Sequence, residues 1–546
     1  MTSFPRTITG VPLKAECVLR NPVIIIYPSQ LKSKHFNSEE PIWFCHFPDI
    51  SHTQYGPNIN TNTNCGAVDN LNRMPVRDPK LSIDELPYEI LVLVFDLVLR
   101  LKPCRAAPRR SVIHKDHMKP PSFQRDPVIL SQVCSHWRRT AINTPSLWTH
   151  IDIQPRLGRA DFAKAAARWD VYVQRSDSSL LDIHIFDPSF SQDSYDTDHR
   201  QVDTHLHKLV ETIAPRTQSL SIRCFSKFTP KDFPRKTMAT FMRSCVPGVL
   251  KALDMRVSLL LGSQTRYNFT NDPSPLGYPE DKLESLYQSI ISLDLRGYYP
   301  KAGSKAYCGL VELCLQSPES YAMTIPESIL VEMIKSNPRL RVLKFNLRMI
   351  DISPREAPVT PIRMGDLQVV GLGKHTNDCV GEILRWLCPG LKPLSLSVYN
   401  PQVEPGFIEH QFQNFIAQSN ITKLGLHGIK TFDPLDGLIT MVPDVKVLAI
   451  DNIGHIPTDA QVLPKPSRSL DAIYVIPPSG LYSPSRDHIE WLARYYDVQK
   501  LTVWTDDFEF DANRVFGTET TVRDVHAPSP VINITTGEPN PVAEWY

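Results

Sequence analysis

The chain has 546 residues and a mass of 61.9 kDa, with 42% hydrophobic residues and 59 Lys+Arg against 58 Asp+Glu, a net charge of +1. That length allows roughly two to four domains and a large core, which excludes a wholly disordered chain. The balanced charge supplies no global field to attract nucleic acid or an anionic membrane, so neither is expected as a partner.

From Met1 to Leu19 there is no basic start followed by a long apolar run. The longest early apolar stretch, Val23 to Tyr27, falls far short of the roughly 20 residues that span a bilayer. The expectation is a soluble protein of the cytoplasm and/or nucleus. The 11 cysteines are scattered and form no Cys-x-x-Cys pair, so neither a disulfide framework nor a zinc site is expected. Asn-x-Thr matches at Asn268, Asn420 and Asn533 are accidental in such a compartment. Residues 1–80, rich in Pro, Asn, Ser and Thr, predict a weakly ordered extension, with a short strand possible at Val23 to Tyr27.

A helix is predicted next. Asp84 is a plausible N-cap, Pro87 suits the first turn, and Glu89 complements the positive end of the helix dipole. From Leu86, the apolar residues Ile90, Leu91, Val94, Phe95, Val98 and Leu99 recur three or four apart, placing one stripe on a helix that ends near Lys102-Pro103. A second helical segment follows Asp126-Pro127 with Val128, Ile129, Leu130, Val133, Cys134 and Trp137, has Arg138 and Arg139 near its polar side, and stops at Thr144-Pro145. So few short helices bury little surface, so docking on a partner helix is expected; an ordinary helical hairpin is the plainer reading.

The order of these pieces resembles an F-box: Leu86-Pro87-Tyr88-Glu89-Ile90-Leu91, then Val133-Cys134-Ser135-His136-Trp137-Arg138, then a close at Leu147-Trp148. The resemblance implies docking on the Skp-type adaptor of a cullin-RING ubiquitin ligase through Leu86, Pro87, Glu89, Ile90, Leu91, Val94, Val133, Cys134, Trp137 and Arg138. Residues 102–125, with Pro103, Pro108, Pro120 and Pro121, form an insertion that cannot be regular helix and is read as a solvent loop. His114 and His117 within it are read as solvated, not as a metal pair.

Arg159 to Gln174 predicts a further helix, with Phe162, Ala166, Trp169 and Val173 on one face, leading into Leu180, Ile183 and Ile185. Thereafter a Leu-x-x-Leu-x-Leu spacing recurs at Leu250-Leu253-Met255, Ile290-Leu293-Leu295, Leu310-Leu313-Leu315, Leu340-Leu343-Phe345, Leu367-Val370-Leu372, Leu391-Leu394-Leu396, Ile421-Leu424-Leu426, Val445-Leu448-Ile450, Leu470-Ile473-Val475 and Val498-Leu501-Val503, with Leu220 and Ile222 a degenerate member. From residue 290 the units start about 20 to 30 residues apart, the length of a leucine-rich repeat. Each unit must stack on its neighbours to bury its apolar face, which predicts an irregular solenoid with a parallel sheet; another α/β arrangement with similar strands is the alternative. No Asn ladder exists, since Tyr298, Pro318, Arg348, His375, Tyr399, Ile429 and Ile453 occupy the turn positions.

The fold class is therefore α/β with an all-α F-box: residues 1–80 an extension, 81–153 the helical module with its inserted loop, 154–515 the repeat domain, and 516–546 a C-terminal tail. The layout from about residue 81 to 510 resembles fungal F-box proteins with degenerate leucine-rich repeats.

Strand alternation places Asp294, Arg296, Glu312, Gln316, Lys344, Asn346, Ser395, Ser397, Lys423, His427, Asp451 and Lys500 opposite the apolar pairs. Tyr474, Ile476 and Trp504 on the same face have the composition of interface anchors for a target protein, or else pack under a terminal cap. Asp506, Asp507, Glu509 and Asp511 read as the wet side of a strand. No phosphate-cradling loop, nucleophile elbow or zinc-protease helix appears, so no enzymatic activity and no cofactor is expected. The expected function is substrate-recognition subunit of a Skp-cullin-F-box ubiquitin ligase. The alternative is a non-catalytic interaction scaffold.

Overall fold

The computed structural model describes residues 86–101, 127–155, 159–187, 199–224, 232–257, 278–318, 322–354, 357–399, 407–428, 439, 441–451, 469–476, 486–496, 498, 500–505 and 531–536. The expected N-terminal extension, the cap at Asp84, the insertion with His114 and His117, and the acidic cluster from Asp506 lie outside the described residues.

Three helices open the described chain: α1 (Tyr88–Leu101), α2 (Pro127–Leu130) and α3 (Ser135–Ile142), followed by a 3-10 turn at Pro145–Trp148. Pro87 precedes α1 instead of entering its first turn, and its carbonyl accepts the first helical bond from Leu91 N at 3.0 Å. The second predicted helical segment is broken in two between Leu130 and Ser135. Arg138 Nε donates to the Ser131 carbonyl at 3.0 Å, tying α3 to the end of α2. Leu91, Phe95, Leu99, Leu130, Trp137, Ala141, Leu147 and Trp148 are buried, and the Phe95 and Trp137 rings meet at 4.9 Å.

The remainder is mixed α/β, with a large parallel sheet consistent with a leucine-rich-repeat-like solenoid. In chain order its strands and helices are β1 (His150–Ile153), α4 (Arg159–Arg175), β2 (Leu181–Asp187), α5 (His199–Ile213), β3 (Thr217–Cys224), α6 (Asp232–Ser244), β4 (Ala252–Val257), α7 (Glu280–Tyr287), β5 (Ser292–Arg296), β6 (Glu312–Gln316), β7 (Thr324–Pro326), α8 (Glu327–Lys335), β8 (Val342–Asn346), β9 (Arg348–Ile350), β10 (Ile362–Met364), β11 (Val369–Leu372), α9 (Val380–Leu384), β12 (Leu387–Pro389), β13 (Pro393–Tyr399), α10 (Phe407–Ala417), β14 (Asn420–His427), β15 (Val447–Asp451), β16 (Ala472–Ile476), α11 (Arg486–Tyr495), β17 (Lys500–Thr505) and β18 (Val531–Thr536). Among the described residues, fourteen strands join one sheet in chain order; β7 pairs with β9, and β10 with β12, in two small ribbons.

Register turns the repeated spacing into a ladder. Leu253, Leu293, Leu313, Leu343, Val370, Leu396, Leu424, Leu448, Ile473 and Leu501 sit side by side across ten strands, and all are buried. Each unit alone would leave this row wet, and stacking neighbours removes it from water at about 25 cal/mol per Å² of apolar area. The expected ladder pair Leu394 and Leu396 is displaced by two residues here: β13 meets β11 with Leu396 beside Val370 and Val398 beside Leu372, and β14 takes up the offset with a bulge at Thr422.

Two boundaries also move. His150–Ile153, expected in the helical module, is the first sheet strand, with Ile151 paired to Ile183 and Ile153 to Ile185. Residues 516–546, expected as a tail, contain β18, which pairs in parallel with β17.

Asn does occur at isolated turns in place of a ladder. Buried Asn337 donates to the Tyr307 and Met333 carbonyls, both at 2.6 Å, and accepts from Leu310 N at 2.5 Å. Gly297, at φ +82°, closes β5 where a Cβ would run into the Val257 carbonyl oxygen. Gly297→Ala is expected to cost about 2 kcal/mol in chemical denaturation, because backbone cannot yield as a flexible side chain would.

Candidate functional site

Two regions carry chemistry: the outer side of α1, and the polar face of the sheet. On α1, Leu91, Phe95 and Leu99 repeat every four residues and are covered, whereas Ile90, Leu93 and Leu97, on the other side, are 44%, 63% and 53% exposed. The helix is apolar nearly all round, and its second apolar face is bare. The Tyr88 hydroxyl lies 2.9 Å from Thr144 Oγ1, which anchors the start of α1.

The residues expected to meet an adaptor divide accordingly. Pro87, Glu89, Ile90, Val133 and Arg138 are exposed, and Leu86, Val94 and Cys134 half-buried. Leu91 and Trp137 are buried, at 0% and 3% exposure, with the Trp137 ring against Phe95. Leu93 and Leu97, outside the expected set, are also exposed, because spacing alone does not say which side of an apolar helix is covered.

On the sheet's polar face the first strands bring together His150, Asp152 and His184. Asp152 pairs with His184 in register, and His150 lies two residues earlier on the same face. Burial pushes Asp152 up, but the two imidazoles beside it outweigh this and hold it well below the usual carboxylate range. Burial pulls His184 down more than Asp152 restores it. No sequence motif flags this trio, since His150 and His184 meet only through strand pairing.

Next along the face, Arg223 Nε donates to Asp254 at 2.9 Å and Arg256 Nε at 3.0 Å, Arg256 also bonds Asp294, and the Ser221 hydroxyl donates to Asp254 at 3.0 Å. Burial raises Asp254, but the two guanidiniums prevail and hold it low. These charges link β3, β4 and β5, although Asp294 Oδ1 makes no hydrogen bond and burial pushes the Asp294 carboxyl up against the pull of Arg256.

Farther on, His427 Nε2 lies 3.1 Å from Ser397 Oγ, its Nδ1 bonds Asp451, and Gly428 N donates to Asp451 Oδ1 at 2.6 Å. The Tyr399 ring stacks on His427 at 7° between planes. The order of bonds is that of a nucleophilic triad. Ser397 is only 2% exposed, however, and so is closed to a substrate. Tyr474 and Ile476 are half-buried and pack with Val447 against buried Ala449. The Trp504 side chain lies outside the description.

No protein-family profile and no curated protein matches the chain. Among solved structures, it is similar to the crystal structure of the Rad7 and Elc1 complex in yeast, at 11% identity over 82% of this chain and 92% of that one, with a TM-score of 0.33. A likeness that distant carries no argument.

Proposed function

We propose that this chain is the substrate-recognition subunit of a Skp-cullin-F-box ubiquitin ligase. The observation that carries the reading is the bare face of α1, where Ile90, Leu93 and Leu97 line up behind the Leu86-to-Leu91 segment that resembles the F-box start. An apolar helix face of this kind suits insertion between partner helices. In this reading α1 docks on the adaptor, Leu91 and Trp137 set its pose from inside, and the adaptor carries the cullin. The polar face toward β15 and β16, with Tyr474 and Ile476, holds a target protein. The chain contributes proximity and no bond-making of its own, in the cytoplasm or nucleus.

The test is copurification of the tagged full chain with a Skp-type adaptor and cullin, followed by titration of the purified adaptor. Ile90→Asp together with Leu97→Asp is expected to weaken adaptor binding at least about 100-fold, since each position buries about 1.5–3 kcal/mol of apolar contact. The variant should keep its fold, because both side chains already face water. Full adaptor binding by the folded variant, or no adaptor binding by the unaltered chain, overturns the proposal.

A further inference from the structure

We propose that His150, Asp152 and His184 form a binding site for a divalent transition-metal ion of the zinc class, a reading independent of adaptor docking. Two strands build the site without a loop: β1 supplies His150 and Asp152 from alternate positions, and β2 supplies His184 opposite Asp152. Among the described residues, the three ligand atoms lie within 4.8 Å of one another.

The two His-to-Asp distances are compatible with a shared ion. His150 Nε2 lies 3.2 Å and His184 Nδ1 3.4 Å from Asp152 Oδ1. Ligands bound at about 2.1 Å to one ion sit about 3.0–3.4 Å apart in octahedral or tetrahedral geometry. The second observation is His150 itself. Its ring is buried, yet neither nitrogen makes a hydrogen bond, so Nε2 sits close to the carboxylate but out of line with it. A metal bond to Nε2 satisfies one of these two buried nitrogens, which burial otherwise leaves at a cost.

The donor set selects the ion. Two imidazoles and one carboxylate suit zinc and its first-row neighbours, whereas calcium and magnesium take oxygen ligands. Three protein ligands leave a position open for water or a partner's side chain. Trp169, on α4, donates to the Asp152 carbonyl at 2.9 Å and fixes the β1 backbone at the site. The His150 and His184 rings, 4.6 Å apart between centroids, are expected to tilt together as the ion enters.

The experiment uses the full chain, stripped with a chelator and titrated with zinc ion alone by calorimetry. One equivalent is expected to bind and to raise Tm by several degrees. His184→Ala and His150→Ala should each weaken binding at least 100-fold, and His427→Ala, far along the sheet, should leave it unchanged. Should the ligand variants fail to fold, X-ray absorption on the zinc-loaded unaltered chain decides instead. Two imidazole nitrogens with light-atom oxygen support the site; sulfur ligation, water oxygens alone, uptake below one equivalent, or equal uptake by folded His184→Ala overturns it.

Discussion

Glu327→Ala is expected to remove about 3–5 kcal/mol of folding stability in urea unfolding at neutral pH, the cost of leaving a buried charge without its partner. Glu327 begins α8 at 1% exposure, and its Oε1 accepts from Arg385 Nη2 and from Trp386 Nε1, both at 2.7 Å. Its Oε2 accepts from Ser353 N at 2.6 Å, and Arg385 also reaches the Ser353 and Pro354 carbonyls at 3.2 Å. One carboxylate thus joins the start of α8, the turn after β9 and the end of α9. Replacing both partners, with Glu327→Leu and Arg385→Leu, should recover the part of the loss due to the unpaired charge, because a buried ion pair and an apolar pair are nearly equal in worth, while Trp386 Nε1 and Ser353 N still lose their acceptor. A double variant as unstable as Glu327→Ala would show that the pair contributes more than mutual neutralisation.

The same carboxylate predicts a pH dependence. Burial pushes its pKa up, but the hydrogen bonds from Ser353, Arg385 and Trp386 prevail and bring it from 4.5 down to about 2. A group depressed in the folded state binds more protons when unfolded, so its contribution is complete above about pH 4.5 and is lost as pH falls through about 2. The amount at stake is on the order of 3 kcal/mol. Glu327→Gln should flatten the stability profile across that window, and an unchanged profile would contradict the assignment.

Trp148→Ala is the second large effect, about 3–5 kcal/mol, from a cavity in a site that cannot collapse. Trp148 is fully buried, its Nε1 donates to the Ala141 carbonyl at 2.7 Å, Tyr172 meets its ring edge-on at 5.2 Å, and the Arg175 guanidinium lies 4.3 Å above it. The side chain therefore joins α3 to α4 at the entry to β1. Hydrogen exchange should show protection lost in α3 and α4 before the later strands, since solenoid stability is carried between neighbours. Trp148→Phe keeps most of the volume and loses the bond to Ala141, so about 1 kcal/mol is expected. Uniform loss of protection along the whole sheet would refute this local linkage.

The inward ladder was legible from residue order because a strand alternates with a period of two, and Leu253-x-Met255 or Leu448-x-Ile450 announces its buried side without any partner. The same alternation put Tyr474, Ile476 and His427 on the opposite face. The short His-Ile-Asp-Ile segment of β1 carries only two apolar residues, and its strand character comes from pairing with β2. Pairing also decided the register slip in β13, and it alone brought His184 to Asp152 and Asp451 to His427. The Glu327–Arg385 pair joins residues 58 apart in sequence, and no local pattern encodes such a contact. For α1, residue order determined that a helix forms and that it carries an apolar stripe. Only packing decided that Leu91 and Phe95 go inside while Ile90, Leu93 and Leu97 stay in water, because burial belongs to the pair of surfaces that meet.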